Sequence, residues 1–99
     1  MMNELHTHYY NGATTYNSGH FHNYSGETSA SPDVVGHIHY MEGKTTPNED
    51  HDHTYSTATG PAIYVQGGHY HYYNGETGMA YIPDPHTHFY TGYNSIYMV

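Results

Sequence analysis

The chain has 99 residues, enough for one domain, and its 14 tyrosines outnumber its Leu, Ile, Val and Phe residues combined. Nine acidic residues and a single basic one, Lys44, give a formal net charge of −8, which excludes the basic surface that nucleic acids and anionic membranes require. Cysteine is absent, so disulfides and thiolate metal sites are excluded as well.

The composition predicts an ordered β-protein without a conventional aliphatic core. Charged residues make up only 10% of the chain and aromatic residues 16%, whereas disordered chains are typically rich in charge and poor in aromatics. Tyr and Thr favour strands, and the frequent Gly, Asn, Ser and Pro favour turns between them. We therefore expect a single all-β repeat domain covering residues 1–99.

All twelve histidines occur as six HxH pairs, and each pair opens a copy of one nine-residue motif, HxHxYxGxT. If n is the first histidine of a copy, Tyr is expected at n+4, Gly at n+6 and Thr at n+8. Each of these positions has one exception: Met41 at n+4, Thr57 at n+6 and Asn94 at n+8. Six near-copies make internal repetition the organising feature of the chain. In chain order the units are 6–14, 20–28, 37–45, 51–59, 69–77 and 86–94.

The spacing of the units indicates a longer period. Successive units are 14, 17, 14, 18 and 17 residues apart, so His6 and His37 are separated by 31 residues, and His37 and His69 by 32. Position n+3 follows this period, since it is Tyr in the first, third and fifth units. The longer connectors hold most of the aliphatic residues, which we expect to form extra strands or packing plugs. These segments are 34–35, 62–65 and 79–82.

Each unit is predicted to be a β-hairpin. Alternate residues of a strand share a face, so n, n+2 and n+4 place two imidazoles and a phenol on one side. Asn11–Gly12 and Asn74–Gly75 at n+5 and n+6 are typical of two-residue hairpin turns. That turn would pair n+3 with n+8, for example Tyr9 with Thr14. We expect an antiparallel meander or sandwich of six hairpins, with a β-solenoid as the alternative.

The histidine pairs predict metal binding. Two imidazoles on one strand face, with Cα atoms about 6.6 Å apart at about 3.3 Å per residue, can converge on one ion. A Zn, Cu or Ni ion needs further ligands from a second pair, a carboxylate or water, so sharing between pairs predicts three sites with four histidines each. Glu27 and Glu76, at n+7, are auxiliary candidates. The candidate ligands are His6, His8, His20, His22, His37, His39, His51, His53, His69, His71, His86 and His88.

Two other roles for the histidines remain open, and an enzyme is not expected. Histidine and tyrosine can form polar aromatic ladders on a sheet without metal, and a histidine-rich surface can act as a pH switch. Enzymes that use a strand-borne HxH place one pair in one asymmetric pocket, whereas six equivalent pairs leave no unique catalytic centre. Asp33, Asp84 and Glu49–Asp50 lie near prolines and are interpreted as turn residues.

The motif is clearest in GHFHNYSGET (19–28) and GGHYHYYNGET (67–77), and it resembles the YmaF-like family of small histidine-rich bacterial repeat proteins. The resemblance covers nearly the whole chain and implies a bacterial origin and a repeat built on GHxHxYxG. Unit four, with Asp50 before its pair and Thr57 in place of Gly, departs from the pattern, as does unit six with Pro85. If the metal sites are repetitive, we expect these two units to be the degenerate ones.

The predicted function is that of a self-assembling structural protein, in a filament or surface layer, that carries transition-metal ions on its paired histidines. Hairpins with few aliphatic residues need a partner surface, and almost no Lys or Arg protects the strand edges, so the expected partners are further copies of the chain. A soluble metal-buffering or storage module is the alternative. A pH-responsive assembly without metal is a further one.

The N-terminal sequence MMNELHTHYY has neither the basic nor the apolar region of a signal peptide. No run approaches the roughly 20 apolar residues of a membrane-spanning helix. A cell-surface, spore-surface or extracellular location is still favoured for a structural layer, by a route other than such a signal.

Overall fold

A computed structural model describes residues 4–98, and within them every regular element is a β-strand. All strand pairs are antiparallel, which confirms the all-β antiparallel prediction, and the solenoid alternative is not needed. No helix in this range is long and apolar enough to cross a membrane. The strands are β1 (Leu5–His6), β2 (Tyr9–Ala13), β3 (Asn23–Glu27), β4 (Ser31–Pro32), β5 (Tyr40–Lys44), β6 (Thr54–Ala58), β7 (Ala62–Val65), β8 (Gly68–Glu76), β9 (Phe89–Tyr93) and β10 (Tyr97–Met98).

Three two-stranded ribbons make up most of the fold, and each ribbon joins two successive units. They are β2–β3, β5–β6, and the second half of β8 with β9. In every ribbon n+5 of one unit lies opposite n+5 of the next, as with Asn11 and Ser25, and n+4 lies opposite n+6. The motif is therefore complementary to an antiparallel copy of itself, and a single unit supplies one strand.

The predicted turn at n+5 and n+6 is wrong. Asn11 and Gly12 lie inside β2, and Tyr9 pairs with Glu27 of the next unit instead of with Thr14. Glycine at n+6 has another role, because a Cβ built on Gly12 would lie 2.5 Å from the hydroxyl of Tyr24 on the opposite strand. The glycine leaves room for a tyrosine ring across the backbone of its partner.

The three ribbons pack around a common long axis. The amide of Thr46 donates to the Asn23 carbonyl at 2.8 Å, which joins the second ribbon to the first, and Gly78 donates to Thr54 at 2.8 Å between the third and second. Thr15 donates to Phe89 at 2.8 Å and closes the arrangement. The molecule is a three-sided rod with extents of 49 × 20 × 17 Å. The 31- and 32-residue period of the sequence thus corresponds to one ribbon with its connector.

Position n+4 of the six units forms the centre of the rod. The predicted face is confirmed, since n, n+2 and n+4 point inward and n+1 and n+3 lie on the outside. The phenol hydroxyls of Tyr10 and Tyr55 are 2.9 Å apart, as are those of Tyr24 and Tyr73. Burial raises the pKa of Tyr10 and Tyr24, and the neighbouring phenols add to that effect, so these groups stay neutral hydrogen-bonding partners. The buried set is Tyr10, Tyr24, Met41, Tyr55, Tyr73 and Tyr90.

The threonine at n+8 has a specific backbone partner. The Thr14 hydroxyl accepts the amide of His22 at 3.0 Å, and the Thr14 amide donates to the His22 carbonyl at 2.8 Å. In the last unit the Asn94 side-chain oxygen accepts the amide of His71 at 2.8 Å, so asparagine replaces the hydroxyl acceptor. The recurrent residue fixes the backbone of the n+2 histidine in the paired strand.

Additional short strands cover one end of the rod. β1 pairs with β4, and the first half of β8 pairs with β7 and β10. The connector segment 62–65 is a strand, as expected. Val34 and Val35 are exposed instead of acting as a plug, and in the segment 79–82 only Ala80 is buried.

Candidate metal centres

Antiparallel pairing of the motif separates the histidine pairs into two groups. In each ribbon the odd-numbered unit begins at one end and the even-numbered unit at the other, and the three ribbons bring three pairs together at each end. Six residues of strand separate His8 from Thr14, and Thr14 lies beside His22. At about 3.3 Å per residue, the two groups are about 20 Å apart along the strand. The odd hexad is His6, His8, His37, His39, His69 and His71, and the even hexad is His20, His22, His51, His53, His86 and His88.

In the even hexad the Nε2 atoms form two triangles. The outer triangle belongs to position n, and its sides are 3.0 Å from His20 to His51, 2.9 Å from His51 to His86 and 3.2 Å from His86 to His20. The inner triangle belongs to n+2, and each member contacts an outer nitrogen, with His22 3.2 Å from His51 and His88 3.2 Å from His20. His53 contacts His86 at 3.1 Å.

The odd hexad shows part of this arrangement, with two sides of the outer triangle and one contact from an inner nitrogen. The Nε2 atom of His69 lies 3.1 Å from those of both His6 and His37, and His39 lies 3.2 Å from His6. The rings stand nearly perpendicular to one another, for example at 82° between His37 and His69. In each hexad the six ligand atoms lie within 4.8 Å of one another, so each hexad can hold a metal ion.

The other ring nitrogen of every n+2 histidine is bound to a backbone carbonyl of a neighbouring ribbon. The Nδ1 atom of His8 lies 2.7 Å from the Ser95 carbonyl, and that of His22 lies 2.7 Å from the Thr46 carbonyl. A carbonyl only accepts, so Nδ1 carries the proton and Nε2 presents its lone pair to the centre. The remaining pairs are His39 with Ser29, His53 with Gly78, His71 with Gly60 and His88 with Thr15.

Turn residues that precede the pairs orient four of the outer histidines, His20, His37, His51 and His86. Nδ1 of His37 lies 2.8 Å from the Val34 carbonyl, and Nδ1 of His86 lies 2.7 Å from the Asp84 carbonyl. An acid sits behind each hexad: Asp33 Oδ1 is 3.9 Å from Nδ1 of both His37 and His69. At the other end Glu49 Oε2 is 3.0 Å from Nδ1 of His20. Such outer carboxylates and carbonyls are the usual partners of metal-binding imidazoles.

Burial keeps the inner histidines neutral. It lowers the pKa of His8 to about 3 because the charged imidazolium loses water, and the hydrogen bond to Ser95 offsets this only in part. Burial also lowers the pKa of His71 and of His88 to about 4. The neighbouring imidazoles lower these pKa values further, since positive charges so close together repel. At neutral pH these rings are in the form that binds metal.

The two hexads differ in how they meet solvent. All six odd-hexad histidines are buried, and the Tyr97 ring stacks on His6 with centroids 4.4 Å apart. In the even hexad His51 and His86 are partly exposed, and they belong to units four and six. The two units that depart from the motif therefore still contribute to a complete hexad, and they supply its most accessible ligands.

The predicted grouping into three sites of four histidines is wrong, because threefold packing of ribbons gathers pairs in threes. The auxiliary candidates Glu27 and Glu76 are exposed, outside both hexads, and accept hydrogen bonds from Thr7 and Thr87. Their strand register explains this, since Glu27 lies opposite Tyr9 on the outer face.

Sequence reasoning missed the acidic residues behind the rings. The sequence context of Asp33 and Glu49 indicates only turns, although each precedes a histidine pair by a few positions. The turn brings the side chain back over the ring it precedes: Asp33 faces His37 in this way. Glu49, in contrast, reaches His20 of another ribbon, and no local sequence signal marks that contact.

The chain is similar to a known protein family over most of its length. The family model described as "YmaF: Spore germination protein GerY/YamF" matches residues 33–96. No curated protein matches the chain. No solved structure matches it either.

Proposed function

The chain belongs to the YmaF family, and we propose that it is a metal-holding β-protein that binds one transition-metal ion in each of its two hexads. The observation that carries the proposal is the convergence of six imidazole Nε2 atoms at each end of one chain. The Nε2 atoms of His8 and His71 are fully buried and have no hydrogen-bond partner among residues 4–98. Buried nitrogen atoms without partners are costly, and a cation at the centre would satisfy them.

Electrostatics supports a cation over a cluster of protons. Lone pairs that face one another at about 3 Å repel, and the inner rings keep their protons on the opposite nitrogen. Protonating several rings would place positive charges side by side in a buried space, which the lowered pKa values of His8, His71 and His88 oppose. A single divalent ion avoids this repulsion, because one cation at the centre would be shared by all six rings.

The ions also serve the fold. Three ribbons with few aliphatic side chains meet at each hexad, and an ion that binds one pair from each ribbon ties the three together. An ion that binds only the folded state stabilises that state, and the stabilisation grows with the logarithm of the ratio of metal concentration to Kd. Six protein ligands leave no open position for a substrate, which supports storage or structural use and argues against catalysis.

Each hexad is complete within one chain, so metal binding needs no second copy, and this favours the soluble buffering or storage module. Self-assembly is the second candidate function. It is supported by exposed aromatic side chains on the ribbon surfaces, among them Tyr9 at 65%, Tyr40 at 62% and Tyr93 at 60%. The C-terminal Tyr97–Met98 pairs with β8 of its own chain, so these exposed rings would have to make the contact. The family description names spore germination, and a spore-surface setting is part of this second proposal.

Native mass spectrometry and calorimetry test the metal proposal. Metal-free protein should take up two ions per chain. Replacing His37, His39, His69 and His71 with alanine leaves a single pair in the odd hexad and should reduce the uptake to one ion. Glu27→Gln is the matched control, since it changes an exposed acid outside both hexads, and it should still bind two. A chain that binds no transition metal at neutral pH overturns the proposal and leaves the pH-responsive assembly.

Analytical ultracentrifugation tests assembly. A concentration-independent monomer with two ions bound contradicts the assembly proposal and supports the storage module. Concentration-dependent growth that survives chelation would show that the exposed surfaces, and not the metal, make the contacts.

A further inference from the structure

We infer that each hexad holds its ion in a six-coordinate, octahedral shell of imidazole nitrogens and thereby selects Ni(II), Co(II) or Fe(II) over Zn(II). The inference rests on the proposed metal binding and adds the coordination number and the class of metal. It follows from the distances within the hexads, the way the two triangles are stacked and the hydrogen bonds that hold each ring in place.

The distances fit an octahedron of the right size. Neighbouring corners of an octahedron are separated by √2 times the metal–ligand distance. The shortest Nε2 separations are 2.9 Å, between His51 and His86, and 3.0 Å, between His20 and His51, and the longer ones are 3.2 Å. They correspond to metal–nitrogen bonds of about 2.1 to 2.3 Å, close to the roughly 2.0–2.1 Å of metal–imidazole bonds. Opposite corners would then be about 4.2 to 4.5 Å apart by the same geometry, and all six ligand atoms lie within 4.8 Å.

The contacts join the two triangles of the even hexad into one set. The outer triangle of His20, His51 and His86 is closed on all three sides. The inner nitrogens of His22, His53 and His88 each contact a different corner of it, which is one of the two contacts that an octahedron gives each inner corner. A bound ion would draw the second corner into the same shell. The threefold axis of the shell is the axis of the rod, so the fold itself imposes the symmetry.

The rings are not free to form a smaller shell. Each inner ring is held by its Nδ1 hydrogen bond to a backbone carbonyl of another ribbon, such as His39 to Ser29 at 2.8 Å. A four-coordinate ion would leave two Nε2 atoms buried and unsatisfied or would break such bonds. The protein therefore opposes the tetrahedral shell in which structural Zn(II) is normally held.

The metal class follows from this shell. Imidazole nitrogen suits Fe, Ni, Cu and Zn, whereas Mg and Ca prefer oxygen ligands. Zn(II) is almost always four-coordinate in structural sites, and Cu(II) favours a tetragonal shell that a threefold frame does not provide. Ni(II), Co(II) and Fe(II) remain as ions for six nitrogen ligands.

Co(II) and Ni(II) titrations of the metal-free full-length protein test the inference. The visible absorption of bound Co(II) should be weak, as for a centrosymmetric six-coordinate ion, and X-ray absorption at the Ni edge should give six nitrogen neighbours. Ni(II) should bind at least ten-fold tighter than Zn(II). Intense tetrahedral Co(II) bands, or four nitrogen neighbours around Ni, would overturn the octahedral shell while leaving metal binding intact. Failure of every ion to bind would overturn the proposed function as well.

An alanine scan of the odd hexad gives a second readout. With six ligands, each of the six His→Ala variants should weaken Ni(II) binding at that hexad, whereas a four-coordinate shell predicts two variants with no effect. The unaltered even hexad is the internal control, because its retained binding shows that a variant has folded. Two silent positions with the even hexad still loaded would contradict the inference.

Discussion

Met41 lies directly opposite Thr57 in the β5–β6 ribbon. Met41 replaces the usual Tyr at n+4 of its unit, and Thr57 replaces the usual Gly at n+6 of the next. Two apparent irregularities of the sequence therefore occupy one cross-strand pair. Gly43 leaves room for the Tyr55 ring, which crosses the backbone there. Opposite Met41 no tyrosine ring crosses, so the larger Thr57 can take the place of glycine. The hydroxyl of Tyr90 has no hydrogen-bond partner among residues 4–98. The two Tyr–Tyr pairs join units one and four and units two and five, so by the same pattern a phenol at position 41 in unit three would pair with Tyr90 in unit six.

A double substitution tests this relationship. Met41→Tyr alone should lower the free energy of unfolding by about 1–3 kcal/mol, because the new ring meets the Thr57 side chain. Met41→Tyr with Thr57→Gly should recover that loss, and a hydrogen bond to Tyr90 would contribute about 1 kcal/mol. Urea unfolding of the two single variants and the double variant gives the coupling energy. Additive effects in this cycle would show that the two positions are independent.

Glycine at n+6 is expected to be required wherever it faces a tyrosine. A Cβ on Gly75 would lie 2.5 Å from the Tyr90 hydroxyl, so Gly75→Ala should destabilise the protein by about 1–3 kcal/mol. At Gly60 an added Cβ meets only the Tyr72 carbonyl oxygen at 3.6 Å, which makes Gly60→Ala the matched control. Thermal unfolding should separate the two, at about 4–8 °C per kcal/mol for a domain of this size. Equal effects would contradict the proposed role of the close ring contact.

At n+8 the hydroxyl group of threonine should matter more to stability than the shape of the side chain. Thr14→Val keeps the volume but leaves the His22 amide without its 3.0 Å acceptor, which should cost about 1–3 kcal/mol. Thr54→Val, on the exposed face of β6, is the control and should change stability by less than about 0.5 kcal/mol. Thr14→Asn should recover part of the loss, because Asn94 performs this task in the last unit. Chemical denaturation measures all three.

Acid should destabilise the metal-free protein. The pKa is lowered to about 3 for His8 and to about 4 for His71 and His88, so below pH 6.5 the unfolded chain binds protons that the folded one does not. Stability is then full above about pH 6.5 and falls as the pH drops toward about 4. Equilibrium unfolding between pH 4 and 8 measures it, and a flat profile would contradict the buried, neutral state of these rings. Bound metal should move the loss to lower pH, since protons compete with the ion.

The even hexad should release its ion first. His51 and His86 are partly exposed, whereas every odd-hexad histidine is buried and Tyr97 stacks on His6. Excess chelator added to the loaded protein should therefore remove the metal in two phases of equal amplitude. His51→Ala should remove the fast phase, and Tyr97→Ala should accelerate the slow one. A single phase in the unaltered protein would show that the two ends exchange alike.

The strand character and the inward face were predictable because they depend on local periodicity. His69, His71 and Tyr73 alternate in one strand, and alternation alone places them on one side. The position of the turn was not predictable. Asn74–Gly75 is the same dipeptide whether it forms a turn or lies opposite a tyrosine of the next unit. Local turn preference was overridden by the packing of a buried aromatic ring.

By itself, the sequence determined a repeated motif, its inward-facing histidines and the presence of residue types that can bind metal, because these follow from composition and a two-residue period. Only the tertiary structure decided that His6, His37 and His69 meet at one end while His20, His51 and His86 meet at the other. That outcome depends on pairing between units and on three ribbons closing around an axis. Contacts over such separations are set by how the tyrosines pack in the centre, and spacing along the chain does not specify them.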